Sequence, residues 1–295
     1  MTEIPRFGQR ASTPRQEQCT KHPGRSAVAY CKRCNRPACA DCAIPTEVGF
    51  VCVDCANPSS KRRFRGGSAG NFLKNSDAPV TKVLIALNVV LFIVDKMWPT
   101  LFQYLAMTPG VASVQPYRLL TTTFLHAGFF HLLFNMMMLY LLGSSVEKVF
   151  GWWRFLAIYL LSALGGSMAV VAWVLVEPAT INVATVGASG AIYGMFAAIF
   201  MVQRRSGMST TSILVLLGIN LVYGFITPGV SWQGHIGGFL LGLVATGVYI
   251  FVADRSRSGG RAAQVKWSAL ATVAMVAVLS AATWGLLHAA VAAVA

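Results

Sequence analysis

Charge is scarce in this chain, and acidic charge most of all. Only 12% of the 295 residues are charged, with 10 Asp and Glu against 24 Lys and Arg. An ordinary soluble domain carries about twice that charged fraction, so a soluble globular protein is excluded. Cysteine is absent after Cys55, and no internal repeat is present. Charged residues at mid-helix are also missing, which with the lack of repeats argues against a transporter or channel. An apolar core region is missing from the polar first 18 residues, so no secretory leader is expected there.

What is abundant is apolar sequence. Hydrophobic residues make up 55% of the chain. Apolar runs of about 18 residues or more recur, the length a helix needs to cross the hydrocarbon core. Seven spans are expected, at 80–98, 130–148, 153–176, 188–203, 211–227, 234–253 and 267–292. The last has no polar face, so it is read as a span rather than a surface helix. The segment 99–129, with Pro109, Gly110, Tyr117, Arg118 and His126, is expected to be a structured loop. Arg118 is expected to tie that loop down, and Glu147 to meet a loop or headgroup.

Basic residues give the topology. About half of the Lys and Arg precede residue 75. With the N-terminus in the cytoplasm, Lys148, Arg154, Arg204, Arg205, Arg255, Arg257, Arg261 and Lys266 all face that side. Only Lys96 and Arg118 face the other. This positive-inside bias predicts a multi-pass protein of the cell membrane with its C-terminus outside. The expected order is a disordered stretch 1–18, a cysteine module 19–56, a basic flexible linker 57–78, a membrane core 79–254, and a loop plus seventh helix over 255–295.

The cysteine module holds four ligand pairs, each with two residues between its members: Cys19 and His22, Cys31 and Cys34, Cys39 and Cys42, Cys52 and Cys55. A two-residue gap lets one turn present both side chains to one metal, and eight ligands suit two tetrahedral zinc ions. In the reducing cytoplasm the alternative, a disulfide framework, is disfavoured. Closed four-ligand spheres leave no position for substrate, so the sites are expected to be structural. Lys32, Arg33 and Arg36 lie nearby without a recognition-helix pattern, so either a cytoplasmic protein partner or a folding role is expected and nucleic acid is not. The pattern resembles cross-braced B-box-type zinc fingers. That resemblance implies Cys19, His22, Cys39 and Cys42 on one ion, and Cys31, Cys34, Cys52 and Cys55 on the other.

The chemistry is expected in the membrane part. Ser189, in Gly-Ala-Ser-Gly, falls at the first turn of its span, where backbone N–H groups have no intrahelical acceptor. A hydroxyl beside free N–H groups is what an oxyanion site requires. Taken alone, Ser189 could equally be a helix-packing serine. His235 opens the sixth span, and ionisable side chains at membrane depth are costly. Gly238 and Gly242 follow it on one face, and Gly190 and Gly194 offer a matching face on the fourth span. Packing these faces together would bring Ser189 and His235 into hydrogen-bond reach, with Tyr193 stacked on the imidazole. His131 and Asn135, four apart, share a face of the second span, either as a pair bonded locally to backbone or as donors to an oxyanion near Ser189.

In combination, these motifs resemble the rhomboid family of intramembrane serine proteases. The matching residues are Tyr117-Arg118, His126, the run His131 to Asn135, Gly143 to Lys148, Gly187-Ala188-Ser189-Gly190 with Tyr193, and Gly234 to Gly238. The resemblance covers roughly residues 80–253. It implies an all-α polytopic bundle of six transmembrane helices, extended here by a seventh. It further implies a Ser189–His235 dyad needing no catalytic cofactor, and Asn135, His131 and the Ser189 N–H as oxyanion donors, with Gly187 and Tyr193 in support. The expected activity is serine-type endopeptidase cleavage of single-span or other membrane proteins within the lipid bilayer. One departure stands out: the family's loop motif is usually Trp-Arg, and here it is Tyr117-Arg118. No aspartate is placed to orient His235.

Overall fold

The computed structural model describes residues 17–46, 49–56, 78–98, 100–227 and 229–294. The chain divides into two compact units, residues 1–69 and 70–295. Nearly all of the expected stretch 1–18 and linker 57–78 lies outside the described residues.

The first unit is built from two short hairpins. Strand β1 (Ala29–Tyr30) pairs antiparallel with β2 (Pro37–Ala38), and β3 (Ala43–Thr46) with β4 (Gly49–Cys52). A single helical turn, Val53–Ala56, follows. The unit starts earlier than residue 19. Gln18 bridges to Ser26, and the Tyr30 hydroxyl donates to the Glu17 carboxylate at 2.7 Å. Its buried cluster consists of Cys19, Cys31, Cys39, Cys42, Cys52 and Ala38. The larger apolar side chains Val28, Tyr30, Ile44 and Phe50 are exposed instead.

The second unit is helical. Among the described residues its seven long helices are α1 (Pro79–Met97), α2 (Phe129–Phe150), α3 (Trp152–Trp173), α4 (Ser189–Arg205), α5 (Thr211–Ile226), α6 (Trp232–Arg255) and α7 (Gly260–Ala292). All seven expected spans are helices. Among the described residues, α2, α3, α6 and α7 are long and apolar enough to cross a membrane by length and composition alone. Helix α5 is apolar but short at 16 residues, α4 has 17, and α1 carries Lys82, Asp95 and Lys96. A π-helical segment, Leu139–Gly143, interrupts α2 near its middle.

Helices α3, α4 and α6 form the centre, and glycines set how close they come. Without side chains, Gly166 of α3, Gly190 of α4 and Gly234 of α6 meet backbone to backbone. A Cβ on Gly166 would stand 2.9 Å from the Gly234 carbonyl oxygen and 3.4 Å from Gly190 Cα. One layer on, a Cβ on Gly238 would overlap the Gly190 backbone, and one on Gly194 would overlap Ser162. The next layer sets Gly242 against Gly194. The pairing of the α4 and α6 glycine faces is as expected, but α3 joins them as a third partner through Gly165 and Gly166. In lipid, where no hydrophobic effect drives helices together, close approach of this kind is the main source of helix association.

Helix α1 is fastened by polar contacts. Glu147 of α2 is 3% exposed and accepts from the N–H of Val80 and Thr81 (2.9 and 2.8 Å) and from the Thr81 hydroxyl (2.8 Å). The carboxylate therefore caps the first turn of α1, where N–H groups lack partners and the helix dipole favours negative charge. This corrects the loop or headgroup role expected for Glu147. Helix α7 lies against the bundle at both ends. Tyr249 of α6 and Thr272 of α7 share a hydroxyl hydrogen bond of 2.7 Å, and Leu287 and Ala290 pack with Met107, Ala112, Leu119 and Val170.

Candidate active site and metal centres

The long loop before α2 folds into short helical turns, Thr100–Leu105, Pro109–Ala112 and Arg118–Thr121. Arg118 is buried inside it, donating to the Ala106 carbonyl (2.7 Å) and the Gln115 side chain (2.6 Å). Tyr117 is half exposed, and its hydroxyl donates to the same Gln115 oxygen at 2.9 Å. Ser167 of α3 donates to the Leu119 carbonyl at 2.7 Å and pins the loop to the bundle.

That loop in turn holds the approach to α4. Met107 pairs with Thr185 as an isolated β-bridge, the Thr122 hydroxyl donates to the Thr185 carbonyl, and Gly187 N–H donates to the Thr122 carbonyl at 3.0 Å. Gly187 then turns with φ +128°, a conformation that favours glycine. A side chain there would also strike His131, whose Cε1 and Nε2 lie 2.8 Å from the Cβ position. Ser189 Oγ lies 3.8 Å from the same point. Both demands make glycine necessary, and its smallness lets His131 and Ser189 flank one small space.

Ser189 is the first residue of α4. Ile192 is the first N–H to bond back, to the Ala188 carbonyl at 3.0 Å. The N–H groups of Ser189, Gly190 and Ala191 therefore have no intrahelical acceptor. One turn further, the Tyr193 ring stacks on His235, with centroids 4.2 Å apart and planes within 9°. His235 is 7% exposed and sits in the first turn of α6, which the Ser231 hydroxyl caps by accepting from Gly234 N–H. Ser189 and His235 thus lie on the two facing helix ends, but no hydrogen bond joins them in this geometry. The sequence reading expected packing of the glycine faces to bring the two into hydrogen-bond reach; the faces do pack, with Gly238 against the Gly190 backbone.

Asn135 of α2 is buried, and its Nδ2 donates to the His131 carbonyl at 2.8 Å. This uses one of its two amide hydrogens within its own helix, so the local bond weighed from sequence is present. His126 is buried and meets His131 edge-on, with ring centroids 5.2 Å apart. Sequence reasoning missed Gly224 of α5. A Cβ there would lie 3.2 Å from His235 Nδ1.

In the first unit the eight expected ligands fall into two groups, Cys19, His22, Cys39, Cys42 and Cys31, Cys34, Cys52, Cys55. Within each, the ligand atoms all lie within 4.8 Å of one another. His22 Nδ1 is 3.4 Å from Cys39 Sγ and 3.3 Å from Cys42 Sγ, and Cys34 Sγ is 3.7 Å from Cys52 Sγ. Ligands at zinc–sulfur distances of about 2.3 Å stand about 3.7 Å apart across a tetrahedron, so the donor atoms fit such an ion. A disulfide needs about 2.05 Å, and all seven cysteines are free. Backbone N–H groups, Cys39 foremost, hold the Cys19 thiol down to about 6; those of Cys52 foremost do the same to Cys31. Burial pushes Cys42 up to about 11, and hydrogen bonding to Cys52 pushes Cys55 up to about 12. Thiolates crowded this closely repel one another, a repulsion a divalent cation would relieve.

Comparison with known proteins bears on the helical unit. The family model of the Rhomboid domain matches residues 113–253. Rhomboid protease GluP of Bacillus subtilis (strain 168) is 34% identical over 184 residues, which cover 58% of this chain and 35% of GluP. YdcA, a rhomboid-family protein of the same organism, is 37% identical over 141 residues, 45% of this chain and 68% of YdcA. RHOMBOID-like protein 2 of Arabidopsis thaliana is 36% identical over 135 residues, 43% of this chain and 40% of that protein. The chain thus spans about a third of GluP and about two thirds of YdcA. The matched segment runs from the loop that positions Gly187 through nearly the whole of α6, taking in Asn135, Ser189 and His235, and the chain belongs to the rhomboid family.

Proposed function

We propose that this chain is an intramembrane serine endopeptidase using a Ser189–His235 dyad. The observation that carries the reading is the Tyr193–His235 stack on the close-packed α4–α6 pair, with Ser189 one turn away on the same helix. A dyad without an aspartate must orient its histidine by packing, and a stacked phenol ring does so. Nδ1 of His235 lies against Gly224, leaving Nε2 to serve Ser189. Ser189 Oγ attacks the peptide carbonyl while His235 takes its proton. The carbonyl oxygen gains charge and is met by the Ser189 N–H, His131 and the second amide hydrogen of Asn135. One such donor is typically worth about 3 kcal/mol. The C–N bond then breaks, and His235 gives its proton to the departing amine. Water, deprotonated by His235, releases the acyl group in turn.

The substrate class is a membrane protein, single-span or other, whose helix unwinds locally, because an intact helix hides its carbonyls from attack. Helix α5, with only Ile213 and Gly224 buried, is the candidate for the wall that yields to it. The positive-inside bias of the basic loops supports a position in the cell membrane with the N-terminus cytoplasmic and the C-terminus outside. The cysteine module holds two structural zinc ions on the two four-ligand groups and serves a cytoplasmic protein partner. No catalytic cofactor enters the reaction.

The test is cleavage of a model single-span substrate in liposomes by wild type, Ser189→Ala and His235→Ala. Cleavage lost in both variants, with folding intact, is the expected outcome. Undiminished cleavage by Ser189→Ala would overturn the serine mechanism.

A further inference from the structure

Helix α5 buries only Ile213 and Gly224, while Leu214, Val215, Ile219, Val222, Tyr223, Phe225 and Ile226 are all exposed. At its outer end, however, it makes two specific contacts, both with the first turn of α6. Gly224 is buried against the imidazole edge of His235. A methyl group there would lie 3.2 Å from Nδ1, 3.4 Å from Cε1 and 3.4 Å from Val230 Cγ1. Phe225 stacks on Trp232, with centroids 5.0 Å apart and planes within 25°, and Trp232 meets Trp173 of α3 edge-on at 4.9 Å. An aromatic run from α3 through α6 to α5 therefore holds Gly224 against the histidine. Nδ1 is buried and has no hydrogen-bond partner among the described residues, so nothing polar fixes that edge of the ring.

We infer that Gly224 is a positioning residue for the base, and that α5 is the second wall, after Tyr193, that orients His235. Tyr193 fixes the plane of the imidazole and Gly224 fixes its rotation and depth. This rests on the Ser189–His235 reading, and it adds a coupling to it. The base is aligned only while α5 lies against α6. Moving α5 outward to admit a substrate removes the Gly224 contact, and its return restores alignment for the chemical step. Proton transfer is steeply sensitive to such geometry: misplacements near 1 Å cost on the order of 100-fold in rate.

The experiment uses the full chain in liposomes with two readouts. One is the rate at which a small fluorophosphonate phosphorylates Ser189, a reaction in which Oγ bonds to phosphorus, fluoride leaves and His235 takes the proton. This probe needs the base but no lateral passage of a helix. The other is kcat and KM for a model single-span substrate. Gly224→Val is expected to slow both labelling and kcat on the order of 100-fold, with KM unchanged or lower and Gly224→Ala intermediate. Trp173→Ala, which loosens the clamp without adding bulk at His235, should lower labelling and kcat together. Val222→Ala, on the exposed face, should match wild type. Labelling at the wild-type rate in folded Gly224→Val, or a change confined to KM, overturns the assignment. So does faster cleavage by Trp173→Ala with labelling unchanged, the pattern of a helix that only gates. Where Gly224→Val fails to fold by thermal melting, Gly224→Ala and Trp173→Ala decide. A wild type that neither labels nor cleaves fails the dyad reading itself and takes this assignment with it. An active wild type with indifferent variants fails the assignment alone.

Discussion

The cysteine unit and the helical unit both lack the usual means of holding a fold together, and each replaces it differently. The cysteine unit is too small for an apolar core: five cysteines and Ala38 are what it buries, and its large apolar side chains face outward. Domains of this size need metals, disulfides or partners. The helical unit has apolar side chains in plenty, but in lipid these drive no association between helices. It relies on contact distance instead, with Gly166, Gly190 and Gly234 in one layer and Ser162, Gly194 and Gly238 in the next. One unit would be held by ligand bonds at two points and the other by continuous fit along three helices. The first should therefore respond to chemistry and the second to volume.

The largest effect expected from this contrast is at Gly238. Any side chain there overlaps the Gly190 backbone, which unlike a flexible side chain cannot give way. Overpacking commonly costs about 1–3 kcal/mol, and more where nothing can shift. Gly238→Val should therefore prevent α4 and α6 from seating. Expression without a cooperative thermal transition and without Ser189 labelling is the expected result, checked by melting and by fluorophosphonate labelling in detergent. Chelation is the matching test on the other unit. Metal analysis should give two zinc ions per chain. A strong chelator should expose residues 17–56 to protease while leaving the helical transition where it was. Zinc fingers unfold without metal, because binding free energy is folding free energy. A module that stays protease-resistant without metal would break the comparison, since the hairpins would then hold themselves.

How much of this could be read from the sequence depends on the range over which each feature acts. Ligand spacing is local, so the eight residues from Cys19 to Cys55 stand out without any tertiary information. Their division into two groups came only from resemblance, since spacing does not say which pairs meet. Span length and apolarity are also local, and each expected span is a helix. The glycine faces of α4 and α6 were visible as pairs four residues apart. That α3 joins them was not, because Gly165-Gly166 within a span names no partner. Gly224 is likewise one of two glycines, with Gly218, in an apolar run, and only its position beside His235 gives it meaning. The contact of Tyr193 with His235 was legible from the one-turn spacing to Ser189, and the glycine faces of α4 and α6 were expected to bring Ser189 and His235 into hydrogen-bond reach; no bond joins the two here.

Glu147 shows where sequence reading fails most plainly, and it carries the smallest of the expected effects. Its partners Val80 and Thr81 lie 67 and 66 residues away, and no local pattern marks a carboxylate near the end of one helix as the cap of another. The carboxylate accepts three hydrogen bonds through both oxygens while 3% exposed. Glu147→Gln keeps the volume and one acceptor but turns an NH2 group toward a donor on α1. A donor left unsatisfied in a buried site costs about 1–3 kcal/mol. The stability of the helical unit should fall by an amount in that range, read as a lower melting temperature. Glu147→Gln should leave the chelator response of residues 17–56 untouched, because the two units melt by different causes. The helical unit would then be shown to have, besides its fit along three helices, one polar fastening that behaves like the other unit's ligands: a few atoms whose exchange matters more than their volume. An unchanged melting temperature would mean that α1 is held by packing alone, and the helical unit would answer to volume throughout.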